Sequence, residues 1–186
     1  MTFTSILKLS QGLQRFRDDQ RGVSAVEFAM LLPLMITLYL GAVEISQGVA
    51  IDRKVTLTTR TVADLASQVS SITNTDMTNL LNASAAVVTP YDSTKVKVTV
   101  SAIKIDANGA ATITWSDALN GAIAHGVGAS VTVPSALNVP NTTLIWSEVS
   151  YNYTPTIGYV ITGSLNLTDQ IYMRPRLSDT IIRVTS

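Results

Sequence analysis

The hydrophobic pattern changes period twice along the chain. From Arg21 to Ala50 the sequence is dominated by apolar residues, with no charge between Phe28 and Val43. Val23 to Val26 extend the run toward the N-terminus, with Glu27 as the one interruption. The run is roughly twenty residues, about the length a helix needs to cross a bilayer. Ahead of it, Ile6, Leu9, Leu13 and Phe16 are spaced 3, 4 and 3 apart, the stripe of a short amphipathic helix or a tail on a membrane surface. Beyond it, Ile51, Val55, Val62, Leu65, Val69 and Ile72 keep 3-and-4 spacing, with Thr58 filling one apolar position. That pattern predicts a stalk helix to about Thr73-Asn74. Thr75 or Asp76 then caps a second helix running through Leu80 and Leu81 to about Val87.

After the turn cluster Pro90-Tyr91-Asp92-Ser93 the period becomes two. Val96, Val98 and Val100 alternate with Lys95, Lys97 and Thr99, and then Ile103 and Ile105 become the apolar positions. A phase flip inside one run predicts a bulge in this strand. Asn108-Gly109 marks a hairpin. A three-residue loop, Ala107 to Gly109 with Gly109 left-handed, pairs Ile103 with Ile113 and Ile105 with Ala111. The predicted bulge then sets Trp115 opposite Val100. Ile145, Val149, Tyr151 and Tyr153 share one face of a strand ended by Pro155. Tyr159 to Ile161, Leu165 to Leu167 and Ile171 to Met173 read as further strands. The expected fold class is α+β: a long N-terminal transmembrane and stalk helix, a short helix, and an antiparallel β-sheet domain. The expected divisions are a basic leader at 1–22, a transmembrane helix at 23–51, stalk and second helix at 52–88, and a sheet domain at 89–186.

Composition narrows the function. The chain has 186 residues and a formal net charge of +0, without the basic excess of a nucleic-acid binder. Charged residues are 14%, below the roughly 25% of soluble domains. There is no cysteine, which removes disulfides, thiolate metal sites and thiol nucleophiles. His125, the single histidine, lies in the Gly- and Ala-rich stretch Asn120 to Ser130 and has no partner motif, so it reads as a surface-loop residue. Gly126-Val127-Gly128 lacks the preceding strand and third glycine of a dinucleotide fingerprint. No metal-spaced acidic cluster, Gly-x-Ser-x-Gly or phosphate loop is present. The expectation is a non-enzymatic chain with no cofactor, no nucleic-acid partner and no small-molecule substrate. The competing class is a membrane-anchored periplasmic ligand-binding or enzymatic domain, which a deep pocket lined by His125 and several acids would favour. Arg174-Pro175-Arg176 reads either as a contact for a partner's carboxylates or as an exposed turn.

The apolar run exceeds the 7–15 residues of a secretory signal core, and the small-x-small site behind it is Gly48-Val49-Ala50. Lys8, Arg15, Arg17 and Arg21 precede the run, and Arg53, Lys54 and Arg60 follow it closely, so the positive-inside rule nearly ties. A 22-residue N-terminal segment left in the cytoplasm is the simpler topology. Glu27 is the unusual residue, because a carboxylate in a bilayer costs several kcal/mol unless paired. One reading places it at the headgroups in the first helical turn, where the macrodipole favours an anion. The other joins it to Gly22. A cut between Gly22 and Val23 would free an amine one helical turn before Glu27, and the carboxylate would neutralise that amine or a neighbouring subunit's.

Gly22, four residues, Glu27, Phe28 and an apolar helix resemble a type IV prepilin processing site. The string from Arg21 through Val26-Glu27-Phe28-Ala29 and Pro33 to Glu44 resembles the TadE-like proteins of the Tad (Flp-type) pilus system. Glu148 to Pro155 and Met173 to Arg176 resemble further segments of TadE- and TadG-like chains. The resemblance implies a minor pilin, or pseudopilin, that works by anchoring and packing. It implies cleavage by a prepilin peptidase between Gly22 and Val23, with the helix retained. Related TadG-like proteins share the Val-Glu-Phe helix and are thought not to be processed. The implied partners are a membrane crossed once, other pilins, the pilus assembly platform and the peptidase. The implied location is the inner membrane, N-terminus cytoplasmic and sheet domain periplasmic, or the extracellular pilus. Pro33 removes one backbone hydrogen bond and is expected to kink the helix.

Overall fold

A computed structural model describes residues 21–155, 158 and 162–185. The leader stripe Ile6 to Phe16 and the expected strand Tyr159 to Ile161 lie outside the described residues. Helix α1 spans Arg21–Ser67, 47 residues, or about 70 Å at 1.5 Å per residue. It is followed by β1 (Ser71–Ile72), α2 (Asn74–Val87), a 3-10 turn (Ser93–Lys95), β2 (Val96–Ile105), β3 (Ala111–Leu119), β4 (Thr142–Tyr153), β5 (Leu165–Met173) and β6 (Ile182–Arg183). Strands β3-β2-β4-β5 form an antiparallel sheet in that order. The fold class is the α+β arrangement expected.

The outer half of α1 lies on the sheet. Ile51, Val55, Val62 and Ala66 are buried against Val98, Val100, Ile145, Val149 and Tyr151. Thr58 is fully buried on the same face, its hydroxyl donating to the Lys54 carbonyl at 2.8 Å. Thr59 does the same toward Val55 at 2.8 Å. These internal bonds let hydroxyls sit in an apolar interface without an unsatisfied donor. Leu65, expected on the stripe, is exposed, and Ala63 and Ala66 are buried instead. Small residues there let the backbone approach the sheet.

Helix α1 ends at Ser67, several residues before the expected Thr73-Asn74. The cause is competition from the C-terminal segment. The Arg176 amide donates to the Ser67 carbonyl at 2.9 Å, and β1 pairs in parallel with β6, Ile72 opposite Arg183. The cap of α2 is Thr73, not Thr75 or Asp76. The Asp76 amide donates to the Thr73 hydroxyl at 3.2 Å, and the Thr73 amide donates to the Asp76 carboxylate at 3.1 Å, a capping box. Those bonds to Thr73 hold the Asp76 carboxyl below its usual range.

The hairpin register is the one expected: Ile103 faces Ile113 and Ile105 faces Ala111, with Gly109 at φ +82°. The bulge, however, is on the other strand. β2 pairs with β4 without a shift from Val96 to Ile105, while against β3 the register slips between Ala102 and Ile103. Ile103 faces Ile113 and Ala102 faces Trp115, so Thr114 is the extra residue. Trp115 is therefore opposite Ala102, not Val100. The phase flip in β2 has a different origin, which is burial of both its faces. Val96, Val98, Val100 and Ala102 face α1, whereas Ile103 and Ile105 face a second core with Ile113, Leu144 and Val133. The connection between β3 and β4 folds over that outer half-face, with Val131 and Leu137 packed on it. The bulge at Thr114 also rotates Trp115 out of the Ile113 face into the helix-side core, where its indole N–H donates to the Ile181 carbonyl at 2.9 Å.

Candidate membrane helix and outer-face groove

The N-terminal half of α1 has nothing from the described sheet domain against it. Every residue from Gly22 to Ile36 is exposed, including Val23, Glu27, Phe28 and Pro33. Phe28, Met30, Leu31, Leu34, Met35 and Leu38 each show roughly half or more of their surface. Gly22 to Leu40 spans about 27 Å along the axis, close to the hydrocarbon thickness of a bilayer. By length and composition this is the one helix among the described residues able to cross a membrane. A soluble domain would not leave so long an apolar surface in water.

The helix runs through Pro33 without a break. Proline has no N–H, so the Ala29 carbonyl loses its usual partner. One turn later the Thr37 hydroxyl donates to the Pro33 carbonyl at 2.9 Å. Gly22 and Val23 lie in the first described turn, and a Cβ added at Gly22 would meet nothing within 4 Å. Glu27 follows on the same exposed segment, one turn from Val23. The structure thus places Gly22, Val23, Glu27, Phe28 and Pro33 together on a helix free of its own domain.

Gly41 and Glu44 are the first buried residues of α1. Glu44 is 1% exposed, at the level where the apolar surface meets the sheet. The Tyr153 hydroxyl donates to the Glu44 carbonyl at 3.3 Å and to Gln47 Oε1 at 3.5 Å. Burial, and secondarily the Glu44 charge, raise the Tyr153 phenol above its usual value. Gly48 lies under the same ring: an added Cβ would be 3.6 Å from Tyr153 Cε1. Strand β4 thereby fixes its last aromatic on the helix just outside the apolar segment. Further out, Arg176 pairs with Asp64 of α1, so this half of the Arg174-Pro175-Arg176 turn is engaged within the chain. Arg183 holds both oxygens of Asp117 at 2.9 and 3.1 Å, tying β6 to β3.

The opposite sheet face carries a second feature. His125 is not an unpartnered loop residue. Its Nε2 is 2.5 Å from Glu148 Oε2, and its ring stacks on Trp146 at 4.5 Å between centroids. Trp146 in turn stacks on Tyr172 at 5.7 Å, and its indole N–H donates to Gln170 at 3.1 Å. Beside this column runs an open groove of about 610 Å³, lined by His125 and by Glu148 and Asp169. It is open rather than deep, and among the described residues no group of three His, Cys, Asp or Glu is placed to hold a metal. His125 and Glu148 are 23 residues apart and meet through the β3–β4 connection, which carries no sequence motif for the pairing.

Similarity to known proteins falls on the helix. The family model described as TadE-like protein matches residues 22–64. No curated protein and no solved structure matches the chain. The match starts at Gly22, takes in the exposed apolar surface, Glu27, Pro33 and Glu44, and ends at Asp64, in the last turn of α1. The segment similar to TadE-like proteins therefore runs from the exposed apolar part of α1 onto the part that its own sheet covers.

Proposed function

We propose that this chain is a minor pilin or assembly protein of a Tad-type pilus, acting by membrane anchoring and subunit packing rather than catalysis. The TadE-like domain supports involvement in Tad pilus assembly. The observation that carries the finer reading is the contrast along α1. Its first half exposes apolar residues all round, and its second half is buried on one face by its own sheet. A helix apolar on every side suits lipid and suits the helices of other subunits equally. The helix can then leave the bilayer laterally, exchanging lipid contacts for protein contacts at little cost. Glu27 supplies the one charge between Val23 and Val43, which lipid does not satisfy, and the amine of Val23 of a neighbouring subunit is its proposed partner. In this reading residues 1–22 are a cytoplasmic leader, 23–51 the span, and 52–186 a periplasmic stalk and sheet, with the inner membrane as the site of insertion.

The processing step is tested by the N-terminal sequence of the mature protein from cells with and without the prepilin peptidase. The expected start is Val23, dependent on the peptidase. An intact Met1 in both strains, or a start at Ile51, contradicts processing at Gly22.

A further inference from the structure

The outer face of the sheet is divided. Around Ile103, Ile105, Ile113 and Leu144 it is covered by Val131, Val133 and Leu137. Over the rest of the face it is open, and the side chains become polar. Three ladder rows define this floor: Thr99, Glu148 and Gln170; Lys97, Ser150 and Thr168; and the pair Asn152 and Asn166. A polar face on an antiparallel sheet is ordinary where water covers it. Three observations separate this one from a merely solvated face.

The first is a built wall. The segment Gly121–His125 stands over the floor and is pinned at several points. The Asn120 side chain donates to the carbonyls of Ser93 and Val96 at 2.9 and 2.8 Å. The Thr99 hydroxyl reaches the Ile123 carbonyl at 3.4 Å, and the His125 amide donates to the Ser116 hydroxyl at 2.9 Å. The second is a fixed carboxylate. Glu148 is only partly exposed and is held by His125, whose ring is backed by Trp146 and Tyr172. The third is Ile123, 87% exposed on a pinned loop at the edge of a polar groove. In that position its side chain is available to cover one face of a ligand lying in the groove.

We propose that this groove binds a neutral oligosaccharide. The floor offers amide and hydroxyl groups that both donate and accept, at Ser150, Asn166, Thr168 and Gln170, which is the chemistry a row of sugar hydroxyls requires. Lys97 is offset by Glu148, so the groove has no cationic excess for phosphate or nucleotide. It is too polar for an apolar ligand. Glu148 accepts hydrogen bonds from two vicinal hydroxyls, and Ile123 with the His125 ring covers the apolar C–H face of a pyranose. A volume of about 610 Å³ accommodates two or three sugar rings. The inference stands apart from the pilus reading, since it concerns only the sheet.

The test uses the full chain, 15N-labelled, in detergent micelles. It is titrated with maltotriose, cellotriose and tri-N-acetylchitotriose, the last separating amino-sugar polymers from plain glucans. At least one sugar is expected to move the Trp146 indole and the Gln170 and Asn166 side-chain resonances saturably, with Kd below about 10 mM. N166A/Q170A and, independently, I123S are expected to weaken binding about tenfold or more, with Lys104→Ala unchanged. The spectra themselves report whether each variant is folded. If no sugar saturates these resonances, or both variants bind as the parent does, the proposal is overturned. A Ser/Thr-rich decapeptide that moves the same resonances when the sugars do not would also overturn it, in favour of a peptide site.

Discussion

Replacing Trp115 by Ala is expected to cost about 3–5 kcal/mol of stability, the range for truncating a buried aromatic. Trp115 is 5% exposed, sits opposite Ala102 in the helix-side core, and donates to the Ile181 carbonyl at 2.9 Å. Its loss leaves a cavity between sheet and helix and strips a buried carbonyl of its partner. The damage also spreads along the chain. Ile181 precedes β6, whose pairing with β1 and whose Arg183–Asp117 contacts hold the C-terminal segment against the end of α1. Trp115→Phe keeps most of the volume and loses the hydrogen bond, so about 1–3 kcal/mol is expected. Urea unfolding of the full chain in detergent, followed by near-ultraviolet circular dichroism, measures both. Leu177→Ala, on an exposed side chain, serves as the control and should fall within about 0.5 kcal/mol of the parent. A Trp115→Ala variant within 1 kcal/mol of the parent would show that the bulge does not carry this residue into the core.

Replacing Glu27 by Ala is expected to leave the protein inserted in the membrane and to abolish most pilus assembly. Nothing in the described sheet domain touches Glu27, which is exposed on the free part of α1, so the fold does not depend on it. Insertion should improve slightly, because a carboxylate near the bilayer is a cost. Packing should suffer. If Glu27 meets the Val23 amine of a neighbour, removing it leaves a desolvated cation, worth about 3–5 kcal/mol. That is two or more orders of magnitude in subunit affinity. Membrane fractionation and counting of surface pili separate the two effects. Normal piliation with Glu27→Ala would return Glu27 to a headgroup-level residue stabilised by the helix N-terminus.

The contrast between helix and sheet explains what the sequence could disclose. The apolar run, Glu27 after Gly22 and the 3-and-4 stripe beyond Ile51 are local patterns, and the TadE-like match falls on the same residues. Hairpin register was also legible, because Asn108-Gly109 fixes the loop and the apolar positions fix the face. The bulge was misplaced for a physical reason. An apolar phase flip records which faces are buried, and β2 has both faces buried in different halves. The end of α1 was set by Arg176 and β6, more than 100 residues away, which no local periodicity encodes. Thr73 as cap was within reach, since Thr73 and Asp76 have capping-box spacing. His125 with Glu148 was not: two strands and a long connection bring them together.

The most direct measurement of the central claim is an exchange of anchors. In a strain lacking this chain, piliation is compared after complementation with the native sequence and with one whose Gly22–Leu40 segment is replaced by an unrelated apolar spanning helix, leaving Glu44, Gln47 and Gly48 in their contact with Tyr153. Both proteins keep the sheet domain and a membrane anchor. Surface pili should return with the native helix and not with the substitute, because the helix is proposed to pack in protein as well as in lipid. Full piliation with the substitute helix would contradict the account and reduce α1 to a tether.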